Sequence, residues 1–308
     1  MSQLVGVLSA CPLLRSLGLQ DALPQALNAP IAHLDQTLQA VHLSNLVIVE
    51  LRGMPHECEH FLSRIIFPAY SNLMLDGWTG RLEDAHNPEA EFSALLNLHK
   101  NRAYSSTAED FSSSFLWFHY LPDELEVIVA NVNTRIALPR TPLDHRIVTN
   151  FARQFFAFTP LAECISLSIG FEDDIPFSQE ELLDIFAHDY LHCIDEVTWG
   201  GSEIGIAAFC AALSACGEAL SANPASSPGF LVFPHLKTLG ISYVDFSDPS
   251  DREILWTSSV GLQADHKARG SPIQKLVFTA CRGLSEEWTD ALQSSSIFEE
   301  TEVQFHSR

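Results

Sequence analysis

Leu236-Lys237-Thr238-Leu239-Gly240-Ile241 and Ile273-Gln274-Lys275-Leu276-Val277-Phe278 carry one pattern, apolar-x-x-apolar-x-apolar. In an extended chain its last three positions alternate, so Leu239 and Ile241 turn to one side and Thr238, Gly240 and Ser242 to the other. The pattern returns as LRSLGL from Leu14, LVIVEL from Leu46 and YSNLML from Tyr70. ISLSI from Ile165 and LHCI from Leu191 read as degenerate copies, and the signal blurs between Tyr70 and Leu236. A short strand that recurs at intervals of ~20 to 50 residues predicts stacked units, none of which can bury its apolar face alone.

Helical segments fall between the strands. Ser178-Gln179-Glu180-Glu181 is a capping box that opens a helix with Leu182, Leu183 and Phe186 on one side. A second helix is predicted from about Asp251 to Arg269, carrying Ile254, Leu255 and Leu262, with basic residues at its negative end and Gly270 as its cap. A third begins after Asp144 and carries Ile147, Phe151 and Phe155. The order strand, turn, helix, strand predicts an α/β fold, a leucine-rich-repeat-like solenoid. Its irregular repeats would form a horseshoe with parallel strands on the concave face and helices on the convex face. One array spanning 1–308 is expected, with a Pro/Ser/Gly-rich insertion at 221–230.

If the strands line up, their outward positions make a continuous strip for a protein partner. The first three copies contribute Ser16, Gly18 and Gln20, then Ile48, Glu50 and Arg52, then Asn72, Met74 and Asp76. The last two contribute Thr238, Gly240 and Ser242, then Lys275, Val277 and Thr279.

The chain of 308 residues exceeds the ~250 to 300 at which one globular core stops growing, which also favours an elongated array over a single globule. Hydrophobic residues are 46% of it and charged residues 18%, enough apolar surface to fold. Acidic side chains number 39 against 17 Lys plus Arg, which argues against nucleic acid as partner. Seven cysteines, an odd number without a C-x-x-C pair, fit neither a disulfide framework nor a paired zinc site. Leu8-Ser9-Ala10-Cys11 imitates a lipoprotein cleavage box, but no Lys or Arg precedes its short apolar stretch and LSAC recurs at Leu213–Cys216. No segment is long enough to span a bilayer, so no membrane partner is expected and the location is cytoplasmic or nuclear. Leu4, Val5, Val7 and Leu8 lead straight into the first strand, so the first unit is expected to lack cover and to self-associate.

The last copy, PIQKLVFTACRGLSEEW from Pro272 to Trp288, resembles the cysteine-containing leucine-rich repeats of F-box proteins, with Cys281 in the Cys position and Leu284 as the following leucine. FPHLKTLGISYVDFSD from Phe233, LSACPLLRSLGL from Leu8 and HECEHFLSRIIFP from His56 resemble segments of the large F-box families of mushroom-forming fungi. The resemblance implies a repeat region that selects the substrate of a ubiquitin ligase, with a Skp-type adaptor engaged through an F-box. The chain departs from that pattern by opening inside a repeat; an adaptor is therefore expected only if an F-box lies upstream. Leu121-Pro122 followed by Glu124-Leu125 imitates an F-box opening in mid-array, and EELLDIF from Glu181 does so more faintly. The alternative is a stand-alone interaction or scaffold repeat protein.

No catalytic site, cofactor or metal is expected. His56-Glu57-Cys58-Glu59-His60 matches H-E-x-x-H, the helical arrangement that can hold zinc with the Glu as base, and Glu83 could add a ligand; a zinc hydrolase is thus the remote alternative. Pro55 and Pro68 confine that helix, and its Cys58, Phe61, Leu62 and Ile65 read as an apolar side. His188 and His192 read as ordinary helix-end and strand residues. Phe115 to Tyr120 reads as core, and there is no G-x-S-x-G or phosphate-binding glycine pattern.

Overall fold

The computed structural model describes residues 2–20, 23, 40–68, 71–77, 93–94, 96–97, 115–120, 124–129, 134–139, 145–158, 165–171, 177–188, 191–216, 230 and 232–306. The insertion at 221–229, Glu83, Tyr70 and Leu121-Pro122 lie outside them. The fold is α/β. Strand β1 is Ser16–Gln20, β3 Ile48–Gly53 and β5 Asn72–Gly77; β6, β7 and β8 are Phe115–Tyr120, Glu124–Val129 and Thr134–Pro139. Strands β9 to β13 are Ser166–Phe171, Glu196–Gly201, Thr238–Ser242, Lys275–Thr279 and Glu302–His306. These form one sheet in the order β1-β3-β5-β8-β7-β6-β9-β10-β11-β12-β13, and it does not close into a barrel. Two short strands, β2 (Val41–His42) and β4 (Ile65–Ile66), form a separate parallel pair.

Each of the five clear signature copies forms a strand, and in three of them the first apolar residue stands before the strand in a tight turn. The Leu14, Leu46 and Leu236 N–H groups donate to the carbonyls of Cys11, Leu43 and Phe233 at 3.0 to 3.1 Å. LHCI, expected as a strand, is such a turn: Ile194 donates to Leu191 at 3.2 Å, and the strand is the following Glu196–Gly201. Leu43, Leu46, Leu191, Ile194, Phe233 and Leu236 are all buried. The full pattern is therefore apolar-x-x-apolar-x-x-apolar-x-apolar, in which the first two apolar residues anchor a turn and the last two a strand.

The units are joined by a recurring seam. The Arg15 carbonyl accepts the N–H groups of Val47 and Ile48, Ile165 those of Asp195 and Glu196, Asp195 those of Lys237 and Thr238, and Lys237 those of Gln274 and Lys275, all at 2.7 to 3.2 Å. One carbonyl thus satisfies the two backbone donors that enter the next strand, which fixes each unit's register on its neighbour.

The sheet departs from the expected all-parallel array at its centre. β6 pairs antiparallel with β7 and β7 antiparallel with β8, while β8 lies parallel to β5 and β6 parallel to β9. The F-box-like word at Glu124-Leu125 is part of β7, paired on both sides.

Seven α-helices occur among the described residues. α1 is Ser2–Ser9, α2 Pro55–Leu62, α3 His145–Phe158, α4 Gln179–Phe186, α5 Glu203–Ser214, α6 Pro249–Ala268 and α7 Glu286–Gln293. Their apolar sides and the inward strand residues, among them Leu17, Val49, Leu73, Phe118, Leu167, Val197, Leu239 and Leu276, form one core. At α4 the capping box closes as expected: the Ser178 hydroxyl accepts from the Glu181 N–H at 3.2 Å and the Glu181 carboxylate accepts from the Ser178 N–H at 2.8 Å. Asp248 caps α6, and Gly270 ends it with φ +76°; the Gly270 and Ser271 N–H groups return to the Lys267 and His266 carbonyls. Leu255 and Leu262 are buried there, whereas Ile254 is 41% exposed and does not belong to the core. In α3 Phe151 and Phe155 are buried as expected, together with Val148, Ala152 and Phe156. The first unit is not bare: α1 buries Val5 and Leu8, leaving Val7 and Leu13 exposed. No helix among the described residues is long and apolar enough to cross a membrane.

Candidate functional site

The sheet face turned away from the helices is where the outward residues gather. Ser16, Ile48 and Asn72 stand opposite one another, as do Gly18, Glu50 and Met74, and Gln20, Arg52 and Asp76. On the other flank Thr238 pairs with Lys275, Gly240 with Val277 and Ser242 with Thr279. All fifteen expected residues therefore occupy common rows at register positions. Among those whose burial is described, Gly240 alone is buried, beneath Thr198.

The register also adds strands that the sequence pattern missed. From Met74 the middle row continues through Arg135, Ile128, Trp117, Ser168 and Thr198 to Gly240, Val277 and Gln304. From Asp76 the next row continues through Ala137, Glu126, His119, Gly170 and Gly200 to Ser242, Thr279 and His306. Two unbroken rows cross all eleven strands. The signal available in the sequence was a glycine inside a strand, which marks close approach of a neighbour.

His119 supplies that neighbour. Its imidazole lies over Gly170, where an added Cβ would stand 2.5 Å from Nδ1, and its Nε2 is 3.0 Å from the Ser168 hydroxyl. Burial holds the imidazole down to about 4, so it is neutral at neutral pH and bonds Ser168 in either tautomer. Such a base is a weak proton acceptor, and the pair acts as a brace. Thr198 leans over Gly240 in the same way, with Oγ1 2.7 Å from where a Cβ would be. Phe118, from the same aromatic stretch, faces the opposite side and is fully buried.

Among the described residues nothing covers the β1, β3 and β5 end of the face. A depression of about 330 Å³ there is lined by Gly18, Gln20, Glu50, Arg52 and Met74 with the edges of Leu19 and Leu51. A Cβ at Gly18 would meet nothing within 4 Å.

The H-E-x-x-H residues lie on α2. Glu57 accepts the Met54 N–H at 3.2 Å, so its carboxylate caps the helix, whereas the remote zinc-hydrolase alternative would have it serve as base. His60 is half-buried and held below the usual histidine range by that burial, then by Arg64 and the N-terminus. Cys58, Phe61 and Ile65 are buried, in line with the apolar side. Among the described residues no group of three or more His, Cys, Asp or Glu is assembled to hold a metal. His188 follows α4 and bonds the Asp184 carbonyl from Nε2 at 2.9 Å; His192 lies in the turn before β10, not in a strand. Cys281 is buried with its thiol 3.4 Å from the Ile241 carbonyl, followed by a turn and α7.

No family model, curated protein or solved structure matches the chain.

Proposed function

We propose that this chain is a protein-binding repeat module, a leucine-rich-repeat-like solenoid whose uncovered sheet face is the concave binding surface. The observation that supports this reading is the pair of unbroken rows across eleven strands: the described inward residues join one core with the helices, and no described helix covers the other face. Successive units differ there in charge, size and shape, as a surface selected for recognition would. No catalytic residue is assigned.

Within that reading, the module is the substrate-recognition part of an F-box-type ubiquitin ligase receptor, engaging a Skp-type adaptor where an F-box precedes it. The binding role rests on the uncovered face; the ligase role rests on the resemblance of the Cys281 repeat to those of F-box proteins.

Photo-cross-linking residues placed at Val277 and Gln20, with Ile254 on the helical side as control, test the binding role. One partner captured from both face positions and not from Ile254 is the expected result. Capture from Ile254 alone would remove the face as the binding surface. Recovery of a cullin and a Skp-type adaptor with the full transcript product would be expected for a ligase receptor, and their absence would leave the bare module.

A further inference from the structure

We propose that the depression over β1, β3 and β5 receives a lysine or arginine side chain from an extended segment of the partner protein. This rests on the reading of the uncovered face as a protein-binding surface and names what one end of it selects. The register sets Gly18, Glu50 and Met74 side by side, so the floor passes from an unfilled position through a carboxylate to a thioether. Three strands ~4.8 Å apart span about 10 Å, which accommodates one long side chain lying across them.

The two charges on this floor are not equivalent. Glu50 is exposed and makes no ion pair or hydrogen bond among the described residues. Arg52 is half-buried, already engaged, and has its Nε withdrawn from solvent. The charge available to a ligand is therefore the carboxylate. Met74, half-buried beside it, offers an apolar bed for an aliphatic stem whose cationic end reaches Glu50. The excess of acidic over basic side chains across the chain, 39 against 17, attracts a basic segment to the protein as a whole and repels an acidic one.

Gly18 provides the test. An added Cβ there meets nothing within 4 Å, so Gly18→Leu directs its side chain into the depression, and unchanged thermal unfolding verifies that the fold is intact. A random-peptide phage library is selected against the full wild-type chain, and the enriched peptides are then measured on Gly18→Leu, Glu50→Lys and, on the far flank, Val277→Arg. The expected result is enrichment of Lys or Arg at one fixed position and binding weakened on the order of 10-fold or more by Gly18→Leu. Glu50→Lys should turn the selection toward Asp or Glu, and raising salt should weaken wild-type binding. Enrichment without a basic residue, or full binding by Gly18→Leu, overturns the proposal. If Val277→Arg abolishes binding while Gly18→Leu does not, the face remains a binding surface and the basic pocket falls. Peptides insensitive to both variants, or no enrichment at all, count against both readings.

Discussion

On the flank formed by β1, β3 and β5 the middle row reads Gly18, Glu50, Met74; on the flank from β9 to β12 it reads Ser168, Thr198, Gly240, Val277. Beneath both rows the core is alike, with Leu17, Val49 and Leu73 buried on one side and Leu167, Val197, Leu239 and Leu276 on the other. Glycine serves opposite ends on the two flanks. Gly18 leaves its space vacant, whereas Gly170 and Gly240 yield theirs to His119 and Thr198. Packing constrains the covered side of these strands to a few apolar shapes, and the other side carries the differences.

The largest effect should be the one the flanks share. Leu276→Ala and Leu51→Ala are each expected to cost about 2 to 5 kcal/mol in urea unfolding, as for a buried leucine deleted from a packed core. A change under about 0.5 kcal/mol on either flank would show that its strand does not face the core as described.

Next comes acidity. His119 is ordinarily protonated near 6.5 but only near about 4 in the fold, so the unfolded chain binds the extra proton between those values. Its contribution is fully present above pH 6.5, falls as pH drops from 6.5 to about 4, and levels off below. Up to about 3 kcal/mol is at stake. His266 and His60, also lowered, steepen the same descent, so the check is the difference between wild type and His119→Gln in unfolding measured across that window. Equal slopes would mean that the imidazole is not shielded.

Gly170→Ala should cost about 1 to 3 kcal/mol, because the new methyl occupies the place of the ring. Gly18→Ala should instead leave stability unchanged or raise it by about 0.5 kcal/mol, since a strand glycine is replaced where nothing is displaced. Similar losses at both positions, read by thermal or urea unfolding, would erase the distinction between the flanks.

Sequence alone located the strands wherever alternation was clean, which is why the outward residues of five copies fall into register. It missed the turn in LHCI because a leucine three residues before an isoleucine suits a turn and a strand equally well until the backbone bonds are known. FLWFHY, ELEVIV and TRIALP were opaque for another reason. Their alternation is compatible with either strand direction, and only tertiary pairing decides that β7 runs against its neighbours. His119 was hidden in an aromatic run that reads as core; of the residues there whose burial is described, Phe118 joins the core and His119 is buried on the opposite side of the sheet. The open space at Gly18 and the filled one at Gly170 look identical in a sequence, since both follow from what a neighbouring strand does.

The meander at the centre of the sheet obeys a parity rule. Consecutive strands in a meander reverse direction, so its first and last members agree only when their number is odd. With three, β8 and β6 both run with the flanks, and the parallel pairing on either side continues as though nothing had intervened. A two-strand insertion would have left one flank facing a reversed neighbour. Relative to a single strand in that place, the meander widens the sheet by two strand spacings, about 9 to 10 Å. A sheet of this kind can thus widen from within by replacing one strand with an odd number, without adding a strand at either edge.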